Sequence, residues 1–351
     1  MEVVRSEEVG KPVEFLGASL PACFSGVVEE WRAVREGVGV FPASFRRWVR
    51  VYGADREAFL QGMVTNDVRG LVRGRGLPAA ILTVQGKVVT DLRIYAGEDS
   101  FLLDFPASGA GRGRETLERH VVADDVELEE VEGALLGLEG RELPRFLEAL
   151  GFELPGSLVL GSGRIAGYPA EWVTASLSGE PGLLLRVEDR GLWDVLCEKG
   201  AVPVGALALD VLRLEAGVPL LGRDMDETTL LMEVGLEDAV SFRKGCYVGQ
   251  EVVERIAARG HVNRLRVLFV FDGEPVPPRT PLACGGKEVG FVTSSAFSPL
   301  VKSTLGMGYV RREFAAPGTE LDLEGRKATV VPPPFRKTTT EGRKDDADAT
   351  R

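Results

Sequence analysis

The segment Lys244-Gly245-Cys246-Tyr247-Val248-Gly249-Gln250-Glu251 places a thiol two residues after an ammonium group, in a loop flanked by glycines. Apolar residues recur at helical spacing after Gln250, so the loop is predicted to open a helix. Cys246 would then lie just before a helix N-terminus, where free backbone N–H groups and Lys244 both favour a thiolate over a thiol. Two interpretations follow: a cysteine that acts as a nucleophile or metal ligand, or a buried and inert cysteine in a turn.

Four further motifs accompany this segment along the chain. They are Thr65-Asn66-Asp67-Val68, Gln85-Gly86-Lys87 followed by Asp91-Leu92, Arg213-Leu214-Glu215-Ala216-Gly217, and Gly290-Phe291-Val292-Thr293-Ser294. With residues 244–251, they resemble the YgfZ family of folate-binding proteins, which belongs to the wider GcvT-like group of aminomethyltransferases. The resemblance extends from about Gly39 to Val331, and it implies a GcvT-like α+β fold.

The composition argues against several classes of protein. The chain has 351 residues and a net charge of −11, from 53 acidic and 42 basic residues. A chain of this length forms two or three domains, and its negative field repels nucleic acids and anionic membranes. No apolar run reaches the ~20 residues of a membrane helix, and Glu2, Glu7 and Glu8 stand where a signal peptide would be basic and then apolar. We therefore predict a soluble, cytoplasmic protein without a direct nucleic-acid or membrane partner.

The cysteines and histidines give no metal-binding pattern. There are two histidines, and the four cysteines are widely scattered without a Cys-x-x-Cys pair, at Cys23, Cys197, Cys246 and Cys284. Cysteines that are more closely spaced are typical of structural zinc sites and of disulfide frameworks. No metal site is therefore predicted.

Strands and helices alternate over most of the chain. Residues 47–52 alternate like a strand and lead into a helix, and residues 134–140 begin a similar unit. A second matching pair begins at the apolar runs 101–105 and 183–187. We predict two interleaved, ferredoxin-like α+β subdomains built around antiparallel sheets, which the resemblance makes a folate-binding region at residues 1–260.

The pattern changes after Asn263. Short strands alternate there with glycine and proline turns, at residues 265–271, 289–294, 307–311, 321–323 and 328–331. This pattern predicts a separate small β-barrel domain at residues 261–335. Residues 336–351 are rich in Thr, Asp, Lys and Arg without an apolar anchor, and they are predicted to be a disordered tail.

Glu215 is predicted to lie on the buried face of a helix. Apolar residues step by three and four positions before it, at Val204, Leu207, Val211 and Leu214. Glu215 projects within this stripe, whereas Arg213 falls on the solvent-facing side. A carboxylate on an apolar face needs a partner. That partner is either a heterocycle with adjacent N–H donors, such as a pterin, or an arginine from a neighbouring strand.

The resemblance assigns roles to several residues. Glu215 matches the position that holds the pterin of tetrahydrofolate in GcvT-like proteins, and Arg243 and Lys244 correspond to a region near the folate cavity of that family. It also makes Asn66 and Asp67 candidates for lining the cavity, whereas the sequence alone favours local hydrogen bonding in a turn. The implied cofactor is tetrahydrofolate or a one-carbon derivative of it.

Asp91 is a further candidate. Aminomethyltransferases of the group carry Asp-Asp-Leu where this chain has Thr90-Asp91-Leu92. In a strand over residues 88–95, Thr90 and Asp91 point to opposite faces, so neither can substitute for the other. Asp91 is therefore interpreted either as a folate ligand or as a cross-strand partner near Arg93. Because Thr90 supplies no charge, aminomethyl transfer is predicted to be absent.

Together these observations predict a YgfZ-like, tetrahydrofolate-binding protein that supports assembly or repair of iron–sulfur clusters in client enzymes, including those that modify tRNA. In this hypothesis Glu215 holds the pterin, and Cys246 carries the chemistry with Lys244 beside it. The expected partners are folate and iron–sulfur client or assembly proteins. The alternatives are an aminomethyltransferase of the glycine cleavage system and a non-catalytic scaffold that folate gates.

Overall fold

The computed structural model describes residues 8–332, which form two α/β layers and a closed barrel. The predicted fold class, an α+β N-terminal part with antiparallel sheets and a small C-terminal β-barrel, is confirmed. The predicted tail at residues 336–351 lies outside the described residues, so it stays a prediction.

The N-terminal elements supply one strand to a sheet that is completed much later in the chain. They are a hairpin and a helix followed by that strand: β1 Pro12–Phe15, β2 Ala18–Pro21, α1 Val27–Glu36 and β3 Gly39–Pro42. Helix α1 has acidic residues in its first turn and a basic residue in its last turn, which suits the helix dipole.

The next stretch builds a complete five-stranded antiparallel sheet. Its elements are β4 Arg46–Tyr52, α2 Arg56–Met63, β5 Gly76–Leu82, β6 Val88–Ala96, β7 Phe101–Pro106, α3 Ala107–Glu118 and β8 Glu127–Glu130. The strand order is β5-β6-β7-β4-β8. Helices α2 and α3 cover one face, because their apolar side chains share a core with those of β4, β6 and β7.

The following elements complete a six-stranded sheet. They are β9 Ala134–Glu139, α4 Leu143–Ala149, β10 Leu160–Ile165, β11 Tyr168–Thr174, β12 Gly182–Val187, α5 Gly191–Glu198, β13 Val202–Pro203 and α6 Ala206–Glu215. The strand order is β10-β11-β12-β9-β3-β13. Helices α4 and α5 cover the outer face. The inner face shares one core with α1, α6 and the helix-free face of the five-stranded sheet.

The C-terminal part is a closed barrel of six strands. After two helices, α7 Leu231–Val234 and α8 Gln250–Arg259, come β14 Arg264–Phe271, β15 Pro281–Cys284, β16 Lys287–Ser298, β17 Ser303–Arg311, β18 Glu320–Leu323 and β19 Arg326–Val331. The strands close in the order β14-β17-β16-β15-β18-β19. Five of the six were predicted from the sequence. The sixth, β15, was not, because it is short, begins with a proline and lacks alternation.

The predicted position of Arg213 is wrong. It was expected on a solvent-facing side of α6, but it is fully buried, because β16 and β17 of the barrel pack against that side. Its Nε donates to Asp210 Oδ1 at 2.7 Å and its NH2 group donates to Ser294 Oγ at 2.7 Å, and it also pairs with Asp224. A helix that packs between a sheet and a barrel buries both of its faces, which periodicity alone does not reveal.

None of the helices within residues 8–332 is long and apolar enough to cross a membrane.

Candidate functional site

Glu215 is the last residue of α6 and is fully buried. Its Oε2 accepts hydrogen bonds from Trp31 Nε1 at 2.9 Å and from both Nε and NH2 of Arg35, at 3.2 and 2.7 Å. Its Oε1 accepts one from Ser298 Oγ at 2.5 Å. The burial predicted from the periodicity is therefore present. The arginine partner comes from helix α1, not from a neighbouring strand.

The loop between β11 and β12 connects this ion pair to the sheets. Arg35 NH1 donates to the backbone oxygen of Ser178 at 3.0 Å and to Glu180 Oε1 at 2.9 Å. The backbone N–H groups of Leu177 and Ser178 donate to the buried carboxylate of Glu139, at 2.7 and 2.8 Å. Burial raises the pKa of Glu139, although these hydrogen bonds counteract it.

A second ion-pair cluster lies on the inner face of the five-stranded sheet. Asp104 is fully buried and binds two arginines: its Oδ1 accepts from Arg46 Nε at 2.8 Å, and its Oδ2 accepts from Arg93 NH1 at 3.0 Å. Arg93 NH2 also donates to the backbone oxygen of Ser176 at 3.3 Å, which joins this cluster to the same loop. We call the connected groups, together with Asp91 on the same face of β6 as Arg93, the polar seam: Arg35, Arg46, Asp91, Arg93, Asp104, Glu139, Glu215 and residues 176–180.

Asp91 is the unsatisfied member of the polar seam. It lies on the same face of β6 as Arg93 and Tyr95. Its Oδ1 is buried and has no hydrogen-bond partner among the described residues. Burial raises the pKa of the Asp91 carboxyl group, and the charges of Arg46 and Arg93 oppose this shift. A buried acceptor without a donor is costly, so this atom marks a position where a ligand donor would be stabilised.

Thr90 faces the other way. It is fully buried under α3, where an added Cβ at Gly109 would lie 2.2 Å from Thr90 Oγ1 and one at Gly113 would lie 2.9 Å from Thr90 Cγ2. A carboxylate at position 90 would therefore point into the packing of α3 and away from the polar seam. The acid that faces the polar seam, Asp91, is present.

The cysteine loop is held by different elements. Lys244 is buried, and its Nζ donates to the backbone oxygens of Val64 and Asn66, at 2.6 and 2.8 Å. The ammonium also lies 5.1 Å from the centre of the Tyr247 ring. Burial lowers the pKa of Lys244 to about 8. Cys246 is exposed and precedes α8, as the sequence predicted.

The remaining candidates support the loop that holds Lys244. Asn66 Oδ1 accepts a local hydrogen bond from the backbone N–H of Asp67 at 2.9 Å, but its Nδ2 donates to the distant backbone oxygens of Pro78 and Asp238, at 2.7 and 2.9 Å. Asp67 Oδ1 accepts from Gln61 Nε2 at 3.0 Å. Arg243 is exposed. The structure thus brings Lys244, Asn66 and Asp67 together, and their hydrogen bonds do not join the polar seam.

Sequence reasoning missed Arg35, Arg46 and Asp104. One signal was available, because Arg46, Trp48 and Arg50 share one face of β4 while Val49 and Val51 share the other. Charged residues at both ends of a buried strand face indicate a polar interior. Within residues 8–332, no group of three or more His, Cys, Asp or Glu side chains is placed to hold a metal ion.

Comparisons with known proteins cover nearly the whole chain. The GCVT N-terminal domain family matches residues 3–244, and the glycine cleavage T-protein C-terminal barrel domain family matches residues 264–337. The chain belongs to the GcvT-like aminomethyltransferase family. It is 36% identical to an aminomethyltransferase of Geobacillus kaustophilus, over 93% of this chain and 94% of that protein. It is 35% identical to one of Rubrobacter xylanophilus, over 92% of this chain and 90% of that protein.

A solved structure of the family has the same architecture. The crystal structure of glycine cleavage system aminomethyltransferase T from Bartonella henselae matches with a TM-score of 0.85 and 25% identity, over 95% of this chain and 96% of that one. The predicted GcvT-like fold is therefore confirmed. Members of the aminomethyltransferase family bind tetrahydrofolate, which is the cofactor that the resemblance implied.

The predicted main function is wrong. An iron–sulfur support protein with Cys246 as its working residue was expected, but relatives at about 35% identity over 93% of the chain are named aminomethyltransferase. The choice of Cys246 as the working residue depended on segment 244–251, in which the ammonium of Lys244 bonds to backbone oxygens. The expected absence of aminomethyl transfer depended on Thr90, and the fold removes that reason, because Thr90 faces α3 whereas Asp91 faces the polar seam.

Proposed function

We propose that this chain is a tetrahydrofolate-dependent aminomethyltransferase, which moves the carbon of an aminomethyl group from a carrier to the folate and releases ammonia. The observation that carries this proposal is Asp91, a carboxylate in the polar seam whose Oδ1 is buried without a hydrogen-bond partner among residues 8–332. A cationic amine or an N–H group of a bound pterin would satisfy this acceptor. When bound, tetrahydrofolate supplies the nitrogen atoms that take up the carbon.

The other candidate residues are part of the same proposal. Glu215 Oε1 accepts a hydrogen bond from Ser298, and a carboxylate oxygen has a second acceptor position that a pterin N–H group can use. Arg243 is exposed and has the charge to bind the carboxylate tail of a folate. Lys244, Asn66 and Asp67 would support the loop that carries Arg243. A cytoplasmic location is also proposed, from the composition alone.

Residues 244–251 support a finer proposal. Their resemblance to the YgfZ signature suggests that this chain stands close to YgfZ proteins within the aminomethyltransferase family. This position within the family depends on residues 244–251, and it adds no iron–sulfur role to the proposed function.

The test is formation of methylene-tetrahydrofolate from an aminomethyl-loaded carrier protein. Wild type should turn over, and Asp91→Asn should be slower by at least about 100-fold, because it removes the charge that would stabilise the amine. Asp99→Asn is the matched control, since Asp99 is exposed in the turn between β6 and β7. Folate binding by wild type without turnover would support the scaffold alternative instead. Equal rates for wild type and Asp91→Asn would reject the role of Asp91.

A further inference from the structure

Asp91 has two arginines nearby, yet neither donates a hydrogen bond to its buried Oδ1. Arg46 donates from Nε to Asp104 Oδ1 at 2.8 Å and from NH2 to the backbone oxygen of Asp104 at 2.8 Å. Arg93 donates from NH1 to Asp104 Oδ2 at 3.0 Å and from NH2 to Ser176. Both guanidinium groups are thus directed to Asp104.

We propose that Asp104 is a positioning residue: by binding Arg46 and Arg93 together, it keeps both guanidinium groups from pairing with Asp91, whose Oδ1 stays free for a donor on the substrate. This inference rests on the proposed function, in which Asp91 faces the reacting amine or the pterin. Asp104 itself touches neither, because it is fully buried behind the two arginines.

The positions of these side chains on β6 and β7 explain why the pairing of the arginines depends on Asp104. Asp91 and Arg93 lie two positions apart on β6, so their side chains share a face. Arg93 pairs across to Asp104 on β7, in the register that places these two residues opposite each other. If Asp104 lost its charge, Asp91 would be the carboxylate of β6 that shares a face with Arg93 and whose charged form both arginines already favour, and a guanidinium group left without its carboxylate is costly.

The charges around Asp91 come from each neighbouring element. They are Arg46 on β4, Arg93 on β6 and Asp104 on β7. Tyr95, on the same face of β6, is neutral because burial raises its pKa. Burial also raises the pKa of the Glu139 carboxyl group on β9, which lies close enough to Arg93 for that charge to oppose the rise. The opposing residue on β5 is Ala80, which carries no charge. Arg46, Arg93, Asp91 and Asp104 together contain two positive and two negative groups, so removing one charge shifts the balance at Asp91 in a known direction.

The experiment is a carbon-13 NMR titration of the Asp91 carboxyl group in the full chain, with the resonance assigned through Asp91→Asn. Asp104→Asn should lower the titration midpoint by about one pH unit, and Arg46→Met should raise it by about one unit. Arg50→Met is the matched control, because Arg50 lies on the same face of β4 but pairs with Glu171, and it should leave the midpoint unchanged. Opposite shifts would show that the charges of Asp104 and Arg46 act on Asp91, and the loss of kcat/KM then decides whether Asp104 keeps the arginines from pairing with it.

The pH dependence of kcat/KM is the second readout. In Asp104→Asn we expect at least a 10-fold loss near neutral pH and a lower acidic midpoint, because the carboxylate of Asp91 becomes paired. Opposite NMR shifts of at least about one pH unit in a protein without transferase activity would reject the proposed function and still uphold the control of the Asp91 charge by Asp104. Transferase activity with an unshifted midpoint in both Asp104→Asn and Arg46→Met would overturn the positioning role. If Asp104→Asn fails to fold, Arg46→Met alone decides, since an unchanged or lower midpoint contradicts the proposal.

Discussion

At the scale of single residues, Asp91 combines a functional position with a cost in stability. Burial raises the pKa of this carboxyl group, so its folded pKa lies above the unfolded value of about 3.9. A group of this kind costs stability once the pH exceeds the unfolded pKa, and the cost is complete above the folded pKa. Asp91→Asn should therefore match or exceed wild type in unfolding temperature at neutral pH. The difference should shrink as the pH falls toward 4, as calorimetry can measure.

Asp99→Asn gives the baseline for this comparison, because Asp99 is exposed. Its unfolding temperature should follow that of wild type at every pH. An Asp91→Asn protein that is clearly less stable at neutral pH would contradict the assignment of Asp91 as a strained acceptor.

Cys246 remains the thiol expected to react first. It is exposed, whereas burial raises the pKa of both Cys23 and Cys197. At neutral pH, alkylation followed by mass spectrometry should label Cys246 before the other three cysteines. Cys246→Ser should leave the labelling rates of the others unchanged. Faster labelling of Cys284 would show that exposure of the loop does not determine reactivity.

At the scale of elements, helices α1 and α6 are joined through Arg35 and Glu215. Arg35→Met would leave the carboxylate of Glu215 buried without its cation, at a cost of about 3 kcal/mol in the free energy of unfolding. Urea denaturation measures this loss. Arg32→Met is the matched control, because Arg32 is exposed on the same helix, and it should change stability by less than about 0.5 kcal/mol.

The double variant Arg35→Met/Glu215→Met separates pairing from packing. It should recover part of the loss seen in Arg35→Met, because it removes the uncompensated charge. A double variant that loses the sum of both single effects would mean that the two residues act independently.

These elements also show how far the sequence could predict the molecule. Periodicity indicated the burial of Glu215 and most barrel strands, because both depend on neighbouring residues. It did not indicate that Arg35 is the partner of Glu215, since the two lie 180 positions apart and no local pattern links them. Lys244 was assigned to Cys246 because they are neighbours in sequence, yet its ammonium donates to the backbone oxygen of Val64. Partners across the fold depend on tertiary packing that spacing does not encode.

At the scale of the whole molecule, Asp224 joins the barrel to the N-terminal part through hydrogen bonds and an ion pair. Its Oδ1 accepts hydrogen bonds from Thr293 Oγ1 at 2.5 Å and Ser294 Oγ at 2.6 Å, both on β16, and its Oδ2 pairs with Arg213. Burial acts to raise the pKa of Asp224, but Arg213 and the hydroxyl groups outweigh it and the pKa is lowered. The stabilisation is therefore present above about pH 3.9 and is lost as the pH falls through the folded pKa.

We therefore expect that low pH weakens the contact between the barrel and the N-terminal part. Asp224→Asn should lower the stability at neutral pH and weaken its dependence on pH below about 4. Hydrogen exchange of β16 and β17 reports this contact directly. Asp322→Asn, on the exposed side of the barrel, should keep the wild-type pH dependence. If the stability of Asp224→Asn and wild type depended equally on pH below about 4, Asp224 would not be the group whose protonation weakens this contact.

The five-stranded sheet is one uninterrupted stretch, from Arg46 to Glu130, whereas the six-stranded sheet takes β3 from before it and β9 to β13 from after it. During synthesis, the first sheet can therefore form while the ribosome still holds the partners of β3. Residues 39–42 must wait, unpaired, until at least β9 emerges. The polar seam closes only after this delayed pairing, so a nascent chain of which only the first 130 residues have left the ribosome would expose the inner face of a finished sheet to chaperones and to other nascent chains.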